Sequence, residues 1–167
     1  MKKTDIAYIA GLIDGEGYIG IKKTKGYKCQ ERQTPGYHAR LQIRMVDEPA
    51  IKFISETLGG WYYKEKSHCD NGRPLYCYQA SDKKAEDIMK IIFPYLKVKK
   101  ESAKTLLDFR KLQSDGKKHR TKITGYRDFP NQHGTVRRIA NKSFSDEYVA
   151  LCDTFYNQCK FLNRVGI

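Results

Sequence analysis

The sequence predicts an α+β fold in which a four-stranded antiparallel sheet carries helices on one face. A helical apolar period opens the chain, two pairs of period-two segments follow, and a second helix separates the two pairs. The predicted order is α-β-β-α-β-β-α, with extra helices toward the C-terminus. Two hairpins joined by a crossing helix form such a sheet. We predict a single domain over residues 1–167, with a core at about 4–104 and a helical C-terminal part at about 105–167.

The opening helix combines a core stripe, a stripe of small residues and a terminal acid. The stripe expected to face the core consists of Ile6, Ile9, Ala10 and Ile13. The small-residue stripe consists of Ala7, Gly11, Asp14 and Gly15. A helix face without side-chain bulk lets another backbone come close. Glu16 ends the helix, where the last carbonyls carry partial negative charge, so we expect a cation held by oxygen ligands beside it.

The second predicted strand is the clearest in the chain, and the strand before it alternates Ile19 and Ile21 with polar residues. The apolar face of the second strand consists of Ala39, Leu41, Ile43 and Met45. Its polar face consists of His38, Arg40, Gln42 and Arg44. Long donors in register without an acid among them would repel one another in water, so the pattern favours an anionic partner over simple solvation. Arg pairs with guanine and Gln with adenine, which suits readout in a major groove.

The second helix and the second strand pair follow the same logic. Asp47 precedes a proline at an early helical position, which predicts a helix start, and the glycine pair at 59–60 predicts its end. Residues 61–66 and 75–80 read as the third and fourth strands. The side chains expected to share a face are Tyr62, Lys64 and Lys66 on the third strand, and Tyr76 and Tyr78 on the fourth. A further helix begins at Ser81 or Asp82 and ends before Pro94.

The C-terminal third predicts a helix from about Glu101 and a last helix from near Ser145. The residues expected to be buried on the last helix are Tyr148, Leu151, Cys152, Phe155, Cys159 and Leu162. Residues 114–142 between these helices are polar and basic. They are either a solvated loop or a segment that orders on a phosphate backbone, and the sequence leaves both open.

Composition points to a polyanionic partner. The formal net charge is +13 and the sequence pI is about 9.5, a balance typical of proteins that bind nucleic acid. The five cysteines form no C-x-x-C pair, and no signal peptide or membrane span is seen. We therefore expect an intracellular protein, in the cytoplasm of a prokaryote or in the organelle that encodes it, without a membrane partner.

Residues 9–17, IAGLIDGEG, resemble the signature of the LAGLIDADG homing endonuclease family, with Ile for the first Leu, Gly for the second Ala and Glu for the second Asp. The element order also resembles the αββαββα fold of one subunit of that family. The chain contains one copy of the motif, so the resemblance implies the homodimeric type. It implies a site-specific endonuclease that needs Mg²⁺, with no small-molecule cofactor beyond the metal. Such an enzyme cuts both strands of a long pseudo-palindromic duplex across the minor groove.

The resemblance also implies residue roles. The implied catalytic residues are Glu16, Asp47 and Lys99, and the implied metal ligands are Glu16 and the Gly15 carbonyl. The implied dimer interface consists of Ala7, Ala10, Gly11 and Asp14. The implied DNA-binding residues are Lys22, Thr24, His38, Arg40, Gln42, Arg44, Lys64, Lys66, Tyr76 and Tyr78. Asp47 also fits a helix N-cap and can serve both roles, while Lys99 also fits a solvated lysine.

Two other functional classes fit parts of the sequence. A non-cutting binder of the same fold would be an RNA maturase that assists intron splicing, or a DNA-binding regulator. A basic ribosome-associated protein would leave the small-residue helix face unexplained. The acid at Glu16 and the cation at Lys99 favour the endonuclease, because a pure binder needs neither.

Overall fold

The computed structural model describes residues 1–25, 35–65, 72–116, 122–130 and 136–165. The helices are α1 (Lys3–Glu16), α2 (Glu48–Leu58), α3 (Asp82–Ile92), α4 (Lys100–Ser114) and α5 (Asp146–Val165), with a 3₁₀ turn at Phe93–Tyr95. The strands are β1 (Gly17–Thr24), β2 (Gly36–Met45), β3 (Tyr62–Glu65), β4 (Leu75–Ser81), β5 (Lys122–Pro130) and β6 (Val136–Ser143). The predicted order α-β-β-α-β-β-α is confirmed over α1 to α3.

Strands β1 to β4 form one antiparallel sheet in the order β1-β2-β4-β3. The long strand β2 therefore lies inside the sheet, between β1 and β4. Its burial alternates as predicted: Leu41 and Ile43 are buried, while His38 and Arg44 are exposed on the opposite face. The sheet thus separates an apolar face from a polar one along its longest strand.

The helices cover the apolar face of this sheet and form the core with it. Each helix contributes the stripe that its spacing predicts, and the side chains are fully buried at Ile9 and Ile13 of α1, Ile51 and Ile54 of α2, and Ile88 and Met89 of α3. Asp47 is the N-cap of α2, where its Oδ1 accepts a hydrogen bond from the amide of Ala50 at 3.1 Å. The N-cap role expected for this residue is therefore confirmed.

The prediction that Lys64, Tyr76 and Tyr78 bind DNA requires them on the polar face of the sheet, and the register places them on the opposite face. Register pairs Tyr78 with Ile43 and Tyr76 with Met45, so both tyrosines lie on the helix-covered face. Tyr78 is fully buried and its hydroxyl donates to the carbonyl of Gly59 at 2.8 Å. Lys64 pairs with Tyr76 and shares that face. The error has a physical cause, because one step along a strand moves every side chain to the other face.

The C-terminal third contains a β-hairpin that the sequence did not predict. Strands β5 and β6 pair antiparallel as a separate two-stranded sheet between α4 and α5. The last helix begins near Ser145 as predicted and buries Cys152 and Cys159, but Leu151 remains 46% exposed. The helical prediction for residues 105–167 therefore holds for α4 and α5 and fails between them.

Helix α5 lies along the open edge of β1. The side-chain amide of Asn163 donates to the carbonyl of Ile19 at 2.9 Å, and Lys23 pairs with Asp153 at 2.5 Å. Burial raises the pKa of the Cys159 thiol on the same helix to about 12. An exposed strand edge would otherwise leave backbone groups without partners and invite pairing with another chain.

None of the helices in the described part of the chain is both long and apolar enough to cross a membrane.

Candidate catalytic site and nucleic-acid interface

Glu16 is the last residue of α1, and its side chain is exposed where the helix meets β1. Gly17 makes this sharp junction possible, since its amide donates to the carbonyl of Ile13 and a Cβ would lie 2.6 Å from that oxygen. The last turn of α1 contains no basic residue of its own. A carboxylate at this end of a helix is unfavourable without a nearby positive charge.

Lys99 supplies that charge from a distant part of the chain. Its Nζ donates to the carbonyl oxygens of Ile13 at 3.1 Å, Asp14 at 2.7 Å and Gly15 at 3.4 Å. Burial lowers the pKa of the Lys99 ammonium, and the carboxylates of Asp14 and Glu16 oppose that shift. Lys99 is therefore half-buried and ordered at the end of α1 rather than one more solvated lysine.

Asp14 fixes the segment that carries Lys99. Its carboxylate accepts hydrogen bonds from the amides of Lys97 at 2.7 Å, Val98 at 3.2 Å and Lys99 at 2.9 Å. The prediction that Asp14 serves the dimer interface is corrected by this geometry, because both carboxylate oxygens bind backbone of the same chain. Asp14 instead aligns residues 97–99 so that the Lys99 side chain reaches the carbonyls of α1.

The small-residue face of α1 is exposed at three of its four positions and half-buried at Asp14. Ala7, Gly11 and Gly15 are exposed, and a Cβ built on either glycine meets none of the other described residues within 4 Å. Ala10 is fully buried, so its predicted place in a dimer interface is wrong: it belongs to the core stripe of the helix. Tyr8, 53% exposed, stands beside the small-residue face.

The polar face of the sheet forms an open groove of about 500 Å³ that has Glu16 at one end. The groove is lined by Glu16, Tyr18, Ile21, Lys22, Lys23, Arg40, Gln42, Arg44 and Tyr156. Tyr18 lies across Gly20, where any Cβ would meet the tyrosine hydroxyl at 2.5 Å. The structure therefore brings the terminal acid and the predicted reading residues into one surface.

The side chains of Arg40, Gln42 and Arg44 are held by partners on the neighbouring strands. Arg40 Nη2 donates to Gln79 Oε1 at 2.5 Å, and Arg44 Nε pairs with Glu65 Oε1 at 2.9 Å. Gln42 Nε2 lies 3.1 Å from the Cys77 Sγ. Such cross-strand contacts restrict rotamers and set which donor faces outward.

All three partners, Glu65, Cys77 and Gln79, were missed in the sequence because β3 and β4 were read with the wrong faces outward. Alternate residues of a strand share a face, so once Cys77 is placed on the polar face of β4, Gln79 must lie there too. Tyr156, which lines the groove from α5, gave no local signal. Among the other predicted DNA-binding residues, Lys22 is exposed and Thr24 is half-buried, with its hydroxyl donating to the carbonyl of Gly36 at 3.3 Å. Lys66 lies outside the described residues.

The oxygen atoms at the end of α1 fit a hard divalent cation only in part. Glu16 offers an exposed carboxylate and Gly15 a carbonyl, both of the ligand type that Mg²⁺ prefers. Within the described residues, no three His, Cys, Asp or Glu side chains come close enough to hold a metal ion together. A complete coordination shell would therefore need oxygen atoms from outside one chain, such as phosphate, water or a second copy.

The chain is similar to one protein family in sequence and to several solved structures in fold. A family model described as LAGLIDADG endonuclease matches residues 9–114. The homing endonuclease I-CvuI, bound to the I-CreI target with 2 mM Mg, is 14% identical with a TM-score of 0.65 over 96% of this chain and 82% of its own. The archaeal intron-encoded homing endonuclease I-Vdi141I complexed with DNA is 15% identical, with a TM-score of 0.58 over 93% of this chain and 98% of its own. Among curated proteins, none matches this chain.

Proposed function

Because the chain belongs to the LAGLIDADG endonuclease family, we propose that two copies form a homodimer that cleaves both strands of a long, near-palindromic DNA target with Mg²⁺. The observation that carries this proposal is the position of Glu16 in the groove that Arg40 and Gln42 also line. The same bound duplex could then contact the base-reading side chains of β2 and the carboxylate that holds the metal.

The dimensions of the sheet suit a half-site of duplex DNA. Strand β2 has ten residues, which at roughly 3.3 Å each span about 33 Å, close to ten base pairs. Two sheets related by a two-fold axis would cover about twenty base pairs. Glu16 directly precedes β1, whose first residue, Gly17, pairs with Ile43 near the end of β2. In the dimer, the Glu16 side chains of the two subunits would therefore lie over the centre of the target.

The residues at the end of α1 divide the chemistry among them. Mg²⁺, when bound, would neutralise the scissile phosphate and activate water. Glu16 and the Gly15 carbonyl would hold it. Lys99 places a fixed positive charge beside these oxygens, where it can stabilise the charge that develops on phosphate. Asp47 is the N-cap of α2, and its Oδ1 accepts from the Ala50 amide. The rest of its carboxylate would orient the attacking water.

Dimerisation would follow from the exposed face of Ala7, Gly11 and Gly15. One chain supplies one terminal acid, and cutting two strands needs two. Within the described residues, nothing from outside α1 lies within 4 Å of a Cβ built on Gly11 or Gly15. Such a stripe lets two helices approach closely across a two-fold axis.

The proposal is tested by binding and cleavage measured on the same DNA. Targets would be selected from randomised duplexes in Ca²⁺, which supports binding through its looser coordination shell, and then incubated with Mg²⁺. We expect wild type to cut both strands, and Glu16→Gln to bind the selected target but not to cut it. Glu56→Gln, an exposed acid on α2, is the matched control and should cut normally.

Cleavage by Glu16→Gln at the wild-type rate would refute the role of Glu16. A wild-type chain that binds structured intron RNA in preference to any selected duplex, and cuts no DNA in Mg²⁺, would instead support the RNA maturase. Binding of a duplex without cleavage would support a DNA-binding regulator.

A further inference from the structure

We infer that the β5–β6 hairpin is a second DNA-binding surface, which contacts phosphates in the flank of each half-site beyond the part covered by the four-stranded sheet. The inference rests on the proposed DNA binding, but it concerns residues outside the groove. Its partner is the sugar-phosphate backbone of duplex DNA, without base specificity.

The position of the hairpin is the first support. Its two ends are anchored at the outer end of β2, far from Glu16. Before it, the Gln113 side-chain amide donates to the carbonyl of Tyr37 at 2.8 Å. After it, Phe144 and Tyr148 line a cavity together with residues 35–38. Gly17, the residue after Glu16, pairs with Ile43 toward the opposite end of β2, so seven residue steps from Gly36, at about 3.3 Å each, separate the hairpin base from the catalytic end by about 23 Å.

The charge of the hairpin is the second support. The two strands contain five basic residues, Lys122, Arg127, Arg137, Arg138 and Lys142, and one acid, Asp128. Register places Asp128 opposite Arg138. The backbone register pairs the other four basic positions with Ser143, Ile139, Phe129 and Ile123. The register therefore puts no acid opposite these four positions, and an excess of positive charge along two paired strands favours a polyanion.

The register also brings positions 127 and 137 close together along the ladder, since Arg127 is two residues from Phe129, whose backbone pairs with that of Arg137. The Arg138 guanidinium stacks 4.9 Å above the Tyr126 ring, which is 54% exposed. A two-stranded hairpin has no core of its own, and an isolated one is marginally stable. Contact with DNA would stabilise it.

The experiment compares the salt dependence of DNA affinity in Ca²⁺ for variants of matched charge. Arg127→Gln/Arg137→Gln removes two positive charges from the hairpin. Lys90→Gln/Lys111→Gln removes two exposed charges from α3 and α4, on the helix-covered side. If each arginine contacts one phosphate, the slope of log affinity against log salt becomes shallower by about 0.9 per contact, or about 3.6 for a dimer with two hairpins bound. The control pair should leave the slope unchanged.

A second measurement locates the contact. Trimming the duplex outside the sheet-covered half-sites should weaken wild-type binding and leave the Arg127→Gln/Arg137→Gln variant unaffected. Arg127→Lys/Arg137→Lys retains the charge and should restore both the slope and the sensitivity to trimming. If the lysine variant behaves like wild type, the effect of the glutamine variant comes from the lost charge and not from misfolding of the hairpin.

The inference is overturned if the glutamine pair keeps the wild-type slope, or remains as sensitive to trimming as wild type. It is also overturned if the pair loses affinity for structured RNA and not for DNA. A chain that binds duplex but never cuts it would refute the proposed endonuclease activity. The salt dependence and the effect of trimming could still be measured, because both experiments follow binding and not cleavage.

Discussion

Removal of the Asp14 carboxylate is expected to destabilise the fold and to impair catalysis separately. The carboxylate accepts three backbone hydrogen bonds from residues 97–99, at 2.7, 3.2 and 2.9 Å. In Asp14→Ala these amides lose their acceptor, and the segment that carries Lys99 is no longer held against α1. Asp14→Asn keeps one acceptor oxygen and should show a smaller effect.

The size of the effect follows from the kind of bond. A hydrogen bond to a charged group contributes about 1.5–3 kcal/mol. Two of the three amides belong to an exposed segment and can bind water instead, so the contributions do not add. We expect Asp14→Ala to cost about 3 kcal/mol, which lowers the unfolding midpoint of a chain of this size by roughly 6–12 °C. Displacement of Lys99 by about 1 Å should lower kcat by on the order of 100-fold.

The assay combines thermal unfolding with single-turnover cleavage well below the midpoint of the variant. Asp5→Asn is the matched control, because Asp5 lies in the first turn of the same helix and interacts only with the Thr4 hydroxyl among the described contacts. It should lose no more than about 1 kcal/mol. If Asp14→Ala unfolds at the same temperature as Asp5→Asn, the three hydrogen bonds do not hold the segment. Wild-type kcat in a destabilised Asp14→Ala would refute the positioning of Lys99.

Three further variants test other parts of the structure. Gly11→Leu should leave the fold of the single chain intact, because a Cβ there meets no other described residue within 4 Å. It should abolish the dimer in sedimentation, and a stable dimer would exclude this face as the interface. Tyr78→Phe should lower the free energy of unfolding by about 1 kcal/mol, because it removes the hydrogen bond to Gly59, and should not change DNA affinity. A large loss of DNA affinity would show that Tyr78 contacts the DNA after all. Gln79→Ala should free Arg40 and relax base discrimination at one symmetric position by about 1–3 kcal/mol; an unchanged base-substitution profile would show that Gln79 does not position it.

The sequence was sufficient where the burial pattern is long and strict. Strand β2 alternates over ten residues, and α1 combines an apolar stripe with a small one, so both were predicted with their correct faces. Strand β4 has only seven residues, and its tyrosines resemble outward-facing contacts because each ring combines an apolar body with a polar tip. Only the pairing with Ile43 and Met45 reveals that they face the core.

Long-range contacts were beyond the sequence. The carboxylate of Asp14 belongs to a stripe of small residues, and nothing local indicates that residues 97–99 bind it. Strands β5 and β6 are rich in charged and turn-forming residues, which hides their strand character until they pair. Tyr156 reaches the groove only because α5 covers the edge of β1.

The most direct test of the account is a mixed dimer that contains one wild-type subunit and one Glu16→Gln subunit. Each subunit is proposed to supply one acid to one strand, so single-turnover reactions with Mg²⁺ on a supercoiled plasmid should give nicked circles and no linear product. A wild-type dimer should give linear product, and a dimer with both acids replaced should give neither. Linear product from the mixed dimer at the wild-type rate would contradict the assignment of one Glu16 to each strand.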